Sequence, residues 1–173
     1  MIVANSKLIT QGEFATGTQD GDVITTVLGS CVAACLWDPV SAVGGMNHIL
    51  LPDAPDDFSG ISGVGVNAME LLINAIIKQG GQKRRLRAKV FGGGKMISHF
   101  SEVGKKNIEF VLGFLEDEDI ECYANSLGGQ QARRVQFWPH SGRARQKMLS
   151  IVDSPEEPAS APMENQGQDI ELF

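Results

Sequence analysis

The spacing of apolar residues changes period along the chain and predicts its elements. Residues 7–17 (KLITQGEFATG) read as one strand around Gly12, and residues 22–28 as a second, β-branched one. Residues 32–37 and 42–51 are two further apolar runs, divided by the turn sequence Asp38-Pro39-Val40-Ser41. Neither run alternates cleanly, which predicts strands covered on both faces. Residues 52–63 are polar and glycine-rich and predict a loop. The period then lengthens: Val66, Met69, Leu72, Ile73, Ile76 and Ile77 recur at helical spacing as far as Gly80-Gly81. Residues 86–91 predict a strand running into Gly92-Gly93-Gly94. Residues 105–118 repeat the helical spacing, and residues 120–126 predict another strand. Residues 134–138 and 143–149 read as a hairpin around Ser141-Gly142. The order predicts an α+β fold, a mixed α/β sandwich with two main helices on a largely antiparallel sheet.

After Ser150 the pattern stops and Pro, Glu, Ser, Ala and Gln take over. Such a segment buries too little apolar surface to order itself. We therefore divide the chain into a folded domain, residues 1–150, and a flexible acidic tail, residues 151–173. The tail ends in Ile170-Glu171-Leu172-Phe173, where apolar groups return, and this end is expected to dock on a partner or back on the body. Charge sharpens the division. The net charge of −6 sits wholly in the tail, with Asp153, Glu156, Glu157, Glu164, Asp169 and Glu171 and no base. That leaves equal numbers of acids and bases in residues 1–150, and a neutral body argues against generic nucleic-acid binding. The longest run free of charge and proline, residues 23–37, is too short and polar for a membrane span of ~20 residues. Residues 1–10 have no apolar signal core. Three cysteines without a C-x-x-C pattern suit a reducing, cytoplasmic setting.

Cys31 and His48 carry the chemistry. If residues 32–37 and 42–51 form a hairpin closed by Asp38 facing Ser41, the same register sets Cys31 directly opposite His48 on one face. An imidazole beside a thiol can stabilise its thiolate, and Gly29-Ser30 just ahead leaves room for a substrate and for amides that bind an oxyanion. A cysteine in an apolar strand is ordinarily inert core, and a single histidine is ordinarily a satisfied core or surface group. Cys35 and Cys122 read as core, and His99 and His140 as loop residues. Gly92-Gly93-Gly94 followed by Lys95-Met96 is not a phosphate loop. Lys83, Arg84, Arg85, Arg87 and Lys89, with Arg133, Arg134, Arg143, Arg145 and Lys147, read as solvated basic faces. No metal set and no cofactor motif is found.

The segment Gly29-Ser30-Cys31-Val32-Ala33-Ala34-Cys35-Leu36-Trp37-Asp38-Pro39, followed by Gly44-Gly45-Met46-Asn47-His48-Ile49-Leu50-Leu51-Pro52, resembles the signature of the CheD family, the chemoreceptor glutamine deamidases of bacterial chemotaxis. The likeness continues through Phe91-Gly92-Gly93-Gly94, Gly104 to Asn107, Gly128-Gly129, Arg133-Arg134, Phe137, Ser141-Gly142 and the closing Glu-Leu-Phe. The resemblance implies a sandwich akin to the deamidase domain of cytotoxic necrotizing factor toxins. It implies Cys31 as nucleophile, His48 as general acid/base and Thr25, six residues before the cysteine, as third member; Thr26 points to the other face. Ser30 and Gly29 are the positions for oxyanion binding. The implied substrate is a receptor glutamine, converted to glutamate with release of ammonia, and the implied second partner is a CheC-type phosphatase. An adaptor acting only on that phosphatase and a generic thiol hydrolase are the alternatives.

Overall fold

A computed structural model describes residues 4–52, 58–96, 101–150 and 170–173. They build three layers. A central sheet has the order β2 (Phe14–Gly17), β5 (Val43–Asn47), β4 (Val32–Asp38), β6 (Arg87–Gly92), β7 (Glu121–Leu127). An outer sheet has the order β1 (Ser6–Leu8), β3 (Val23–Leu28), β8 (Arg133–Trp138), β9 (Arg143–Met148), β10 (Ile170–Leu172). Helices α1 (Phe58–Lys78) and α2 (Ser101–Asp117) cover the far face of the central sheet. Pairing is antiparallel except for β1 with β3 and β6 with β7. The fold is thus the α+β sandwich read from the sequence, with two sheets where one was expected.

The run without alternation at residues 32–37 has the predicted cause. Every residue of β4 is buried. Val32, Ala34 and Leu36 pack on Met69, Leu72, Ile73 and Ile76 of α1, while Ala33, Cys35 and Trp37 face Ile24, Leu28, Val135 and Phe137 of the outer sheet. A strand with two apolar faces belongs in the middle layer, because either face exposed would leave it stranded in water.

Three expectations need correction. Residues 7–17 are not one strand: Gly12 takes φ +83°, and the chain reverses there into β1 and β2, which join different sheets. Helix α1 starts at Phe58, so residues 58–63 are helical and not loop; residues 53–57 lie outside the described residues. Finally, the β4–β5 turn is longer than supposed. Asp38 pairs with Val43, not with Ser41. Its buried carboxylate accepts the amides of Val40 (2.9 Å), Ser41 (3.2 Å) and Gln82 (2.9 Å) and the Arg85 guanidinium, so it organises a wider loop than a two-residue turn.

The end of the acidic segment docks back on the body, one of the two outcomes expected of it. Residues 151–169 lie outside the described residues, but β10 adds to the edge of β9, with Ile170 opposite Lys147 and Leu172 opposite Arg145. The basic run is also less solvated than read. Lys83 pairs with Glu118, Arg85 with Asp38, Arg87 lies over Tyr123 and Lys89 over Trp37, and Arg133 is fully buried.

Candidate active site

The wider turn moves the register by two residues. The ladder runs from Asp38 opposite Val43 to Val32 opposite Ile49, which sets His48 opposite Ala33 rather than Cys31. Because side chains alternate with period two, a shift of two keeps both groups on one face. Cys31 and His48 are diagonal neighbours entering the space between the sheets, where Cys31 packs against the inter-sheet core.

His48 is 7% exposed, at the end of β5, with its backbone clamped to the β1–β2 turn. Its amide donates to the Glu13 carbonyl (3.0 Å) and its carbonyl accepts the Gly12 amide (2.9 Å). The ring reaches across to the outer sheet, where its Nδ1 lies 2.7 Å from Oγ1 of Thr26. Thr25, the residue the resemblance selects, is on the opposite side of β3, half-buried and opposite Gln136 in the sheet register. Ile24, Thr26 and Leu28 are the inward set of β3. The partner of His48 is therefore Thr26, and the correction is one residue.

Proton count then sets the imidazole tautomer. Thr26 has one hydroxyl hydrogen, and Oγ1 donates it to the Ile9 carbonyl at 2.8 Å. Toward His48 the oxygen is left only lone pairs, so Nδ1 carries the hydrogen and Nε2 is the free base. Burial lowers the His48 pKa to about 4, against a smaller opposing pull from the Glu13 carboxylate. Burial likewise raises the Cys31 thiol to about 11, with its own backbone amide pulling the other way. At neutral pH both groups are uncharged. This differs from the thiolate–imidazolium pair anticipated from sequence, and the cause is desolvation of each charged form.

The loop before β4 is held from behind. Gly94 donates to the Gly29 carbonyl (2.9 Å), Gly93 to the Cys31 carbonyl (2.8 Å), and Asn107 Nδ2 on α2 to the Ser30 carbonyl (2.9 Å). With their carbonyls turned to these donors, Ser30 and Cys31 donate no backbone hydrogen bond among the described residues. Asn107 is fully buried, and its Oδ1 accepts the Leu51 amide at 3.0 Å. One amide side chain thus ties the approach to Cys31 to the stretch after His48. The three glycines are packing elements. Gly92 takes φ +113°, and a Cβ there would overlap the Cys31 carbonyl.

Sequence reasoning missed Thr26 and gave Asn107 no role, since both act through long-range contacts. The apolar pattern of β3 gave no signal, since Ile24 and Leu28 share Thr26's parity while Val23 and Val27 share Thr25's; only the burial of the folded strand separates the two faces. Cys35 is fully buried and Cys122 half-buried with its thiol on the Ala124 carbonyl (3.4 Å). His140 lies half-buried at the β8–β9 turn, and His99 lies outside the described residues. Beside His48, Leu8 and Phe14 stand exposed around an open hollow floored by Ile9, Gly12 and Glu13.

The sequence has counterparts among known proteins. Residues 50–148 match the profile of the family described as CheD chemotactic sensory transduction. A protein of Caulobacter sp. (strain K31) named probable chemoreceptor glutamine deamidase CheD is 50% identical over 172 residues, covering 95% of this chain and 91% of that protein. One of the same name from Agrobacterium fabrum (strain C58 / ATCC 33970) is 48% identical over 174 residues, covering 95% and 94%. Among solved structures, the Bacillus licheniformis hypothetical protein YfiH superposes with a TM-score of 0.42 at 12% identity, over 65% of this chain and 49% of that one. With a profile spanning more than half of its length and relatives half identical over nearly all of it, the chain belongs to the CheD family.

Proposed function

We propose that this protein deamidates glutamine side chains of chemoreceptors, with Cys31 as nucleophile, His48 as general acid/base and Thr26 as the group that orients the imidazole. The observation that carries the reading is the Thr26–His48 contact, which leaves Nε2 as a lone-pair base on the face that also bears the half-buried Cys31 thiol. The names and identities of the relatives supply the substrate class.

The steps follow from two neutral groups. His48 Nε2 takes the thiol proton as Cys31 Sγ attacks the carboxamide carbon, and the amide oxygen becomes an oxyanion that the Ser30 and Cys31 amides, which donate to no backbone carbonyl among the described residues, can bind. The imidazolium, held through Nδ1–H by Thr26, returns its proton to the departing nitrogen. Ammonia leaves and a glutamyl thioester remains. Nε2 then takes a proton from water as the oxygen attacks the thioester carbon. Collapse expels Cys31 sulfur, which recovers that proton, and glutamate is released. Thr25 has no part in this scheme; Gly29 serves by giving its carbonyl to Gly94.

We place the reaction in the cytoplasm, in keeping with three free cysteines, and no described helix is long and apolar enough to cross a membrane. A CheC-type phosphatase is carried forward as a second partner, to be tested by co-elution. The deciding experiment incubates purified receptor with wild type or Cys31→Ala and follows intact mass and released ammonia. Wild type should add about 1 Da per converted glutamine through its covalent intermediate without cutting the backbone, and Cys31→Ala should add none. Deamidation by Cys31→Ala at the wild-type rate would exclude the mechanism, and backbone cleavage would favour a general thiol peptidase.

A further inference from the structure

At the edge of the outer sheet β10 lies along β9 and reaches β6 through Lys89, an arrangement with the makings of a recognition site. Its backbone extends the β9 ladder, with the Phe173 carbonyl accepting the Ala144 amide (3.1 Å) and the Phe173 amide donating to the Ala144 carbonyl (3.0 Å). The Phe173 ring enters between the sheets edge-on to Phe91, centroids 5.3 Å apart. Lys89 Nζ donates to the Phe173 carbonyl at 2.8 Å. Two residues earlier, the Glu171 carboxylate accepts Gln146 Nε2 at 3.0 Å. By contrast Ile170 and Leu172 are 58% and 72% exposed, so the segment is held by alternate residues only.

Beneath Glu171 lie two buried polar side chains, Arg133 and Gln146, whose hydrogen-bonding capacity the rest of the fold uses only in part. Arg133 is 1% exposed and has no ion pair among the described residues; its guanidinium holds the Ser126 and Gly128 carbonyls. Its Nε has no hydrogen-bond partner among them, and neither does Oε1 of the equally buried Gln146. A buried cation needs a counter-charge, and Glu171 is the carboxylate that acts on it. The β9 edge adds Arg143, Arg145 and Lys147, while residues 151–173 carry six acids and no base.

We propose that the cleft between β9 and β6 is a peptide-binding site for an extended segment with an acid two residues before a phenylalanine, and that Ile170–Phe173 is its ligand in cis. The backbone edge supplies affinity, the Phe91 side takes the aromatic ring, and Arg133 with Gln146 reads the acid, as in recognition by strand addition. Ile170 faces Lys147, close to the Ser150 from which residues 151–169 lead, so the segment is tied beside its own cleft. A short tether holds its end at an effective concentration on the order of millimolar, which keeps the site filled in dilute solution.

The test uses the full chain carrying Phe173→Ala and a labelled peptide of residues 167–173 (GQDIELF). Amide exchange at Ala144 should be slow in wild type and fast in the variant. The peptide should bind the variant at least roughly tenfold more tightly than wild type, because the attached segment competes. Its affinity should fall with added salt, and a peptide with phenylalanine replaced by alanine should not bind. Glu171→Lys, at an exposed position, sets a cation above Arg133 and should likewise open Ala144 and admit the peptide. Retained Ala144 protection in both variants, or no saturable peptide binding by either, would overturn the proposal. Ala144 protection that rises with protein concentration alongside a dimer would overturn the assignment in cis.

Discussion

Replacing Thr26 by valine removes one hydroxyl and keeps the shape of the side chain, which makes it a clean perturbation of the imidazole's support. Two buried groups lose their partner, the Ile9 carbonyl and the His48 Nδ1–H. At about 1–3 kcal/mol for each orphan, the variant should lose roughly 2–6 kcal/mol of stability and stay folded in the cold. The catalytic effect is separable. In the proposed mechanism His48 is uncharged at rest and carries a full charge when it holds the thiol proton, so the Thr26 contact strengthens toward the transition state. A hydrogen bond to a charged group contributes about 1.5–3 kcal/mol, which corresponds to a kcat lower by about 10- to 150-fold. KM should hold, because Thr26 touches no substrate. Thr26→Ser keeps both hydrogen bonds and should recover most of the rate. Thr25→Val, on the other side of β3, should change neither quantity beyond about 0.5 kcal/mol. Ammonia release from a receptor fragment and urea unfolding of the same preparations measure the two effects. A folded Thr26→Val chain turning over within twofold of wild type would refute the reasoning, as would a rate loss in Thr25→Val instead.

His48 also makes stability depend on pH. Its pKa is lower folded than unfolded, so between about 6.5 and about 4 the unfolded chain binds the proton first and stability is lost as pH falls. The full loss is roughly 3 kcal/mol, and urea unfolding across that range should lack it in His48→Asn. The same depression puts the acid limb of kcat/KM near pH 4, with no ultraviolet thiolate absorbance from Cys31 at pH 7; a limb near 6.5 or a thiolate at pH 7 would contradict the neutral pair. Gly92→Ala should impair Cys31 from a position outside the catalytic set, since its Cβ has nowhere to go but into the Cys31 carbonyl and its φ is left-handed. We expect a loss of roughly 2 kcal/mol or more in stability and a fall in kcat that exceeds any change in KM.

The strands and helices were legible because local spacing encodes them. Residues 32–37, apolar at every other residue on both parities, announced the middle layer, and the shared face of Cys31 and His48 followed from parity alone. Parity survives an error of two residues in a turn, which is why the wrong Asp38 pairing did no harm to it. It does not survive an error of one, and the choice between Thr25 and Thr26 turned on that. The split at Gly12 was hidden because one glycine fits a strand bulge as well as a reversal. Asp38 read only as a turn residue and Arg133 as part of a solvated face, since the Arg85 partner of Asp38 lies 47 residues on and the burial of Arg133 comes from the packing of the assembled sheets. The charge states of the pair were illegible for the same reason, being set by how much water the assembled sheets exclude.

Cys31 sits at the mouth of β4, whose seven residues are all buried between two apolar layers. Protein segments open to solvent at costs ranging from almost nothing at frayed edges to the full unfolding free energy in such a strand. The proposed nucleophile is thus anchored to what should be the last part of the molecule to exchange its amides. Heating should therefore show no inactive but folded intermediate, with enzyme inactivation and the loss of β4 protection falling on one curve.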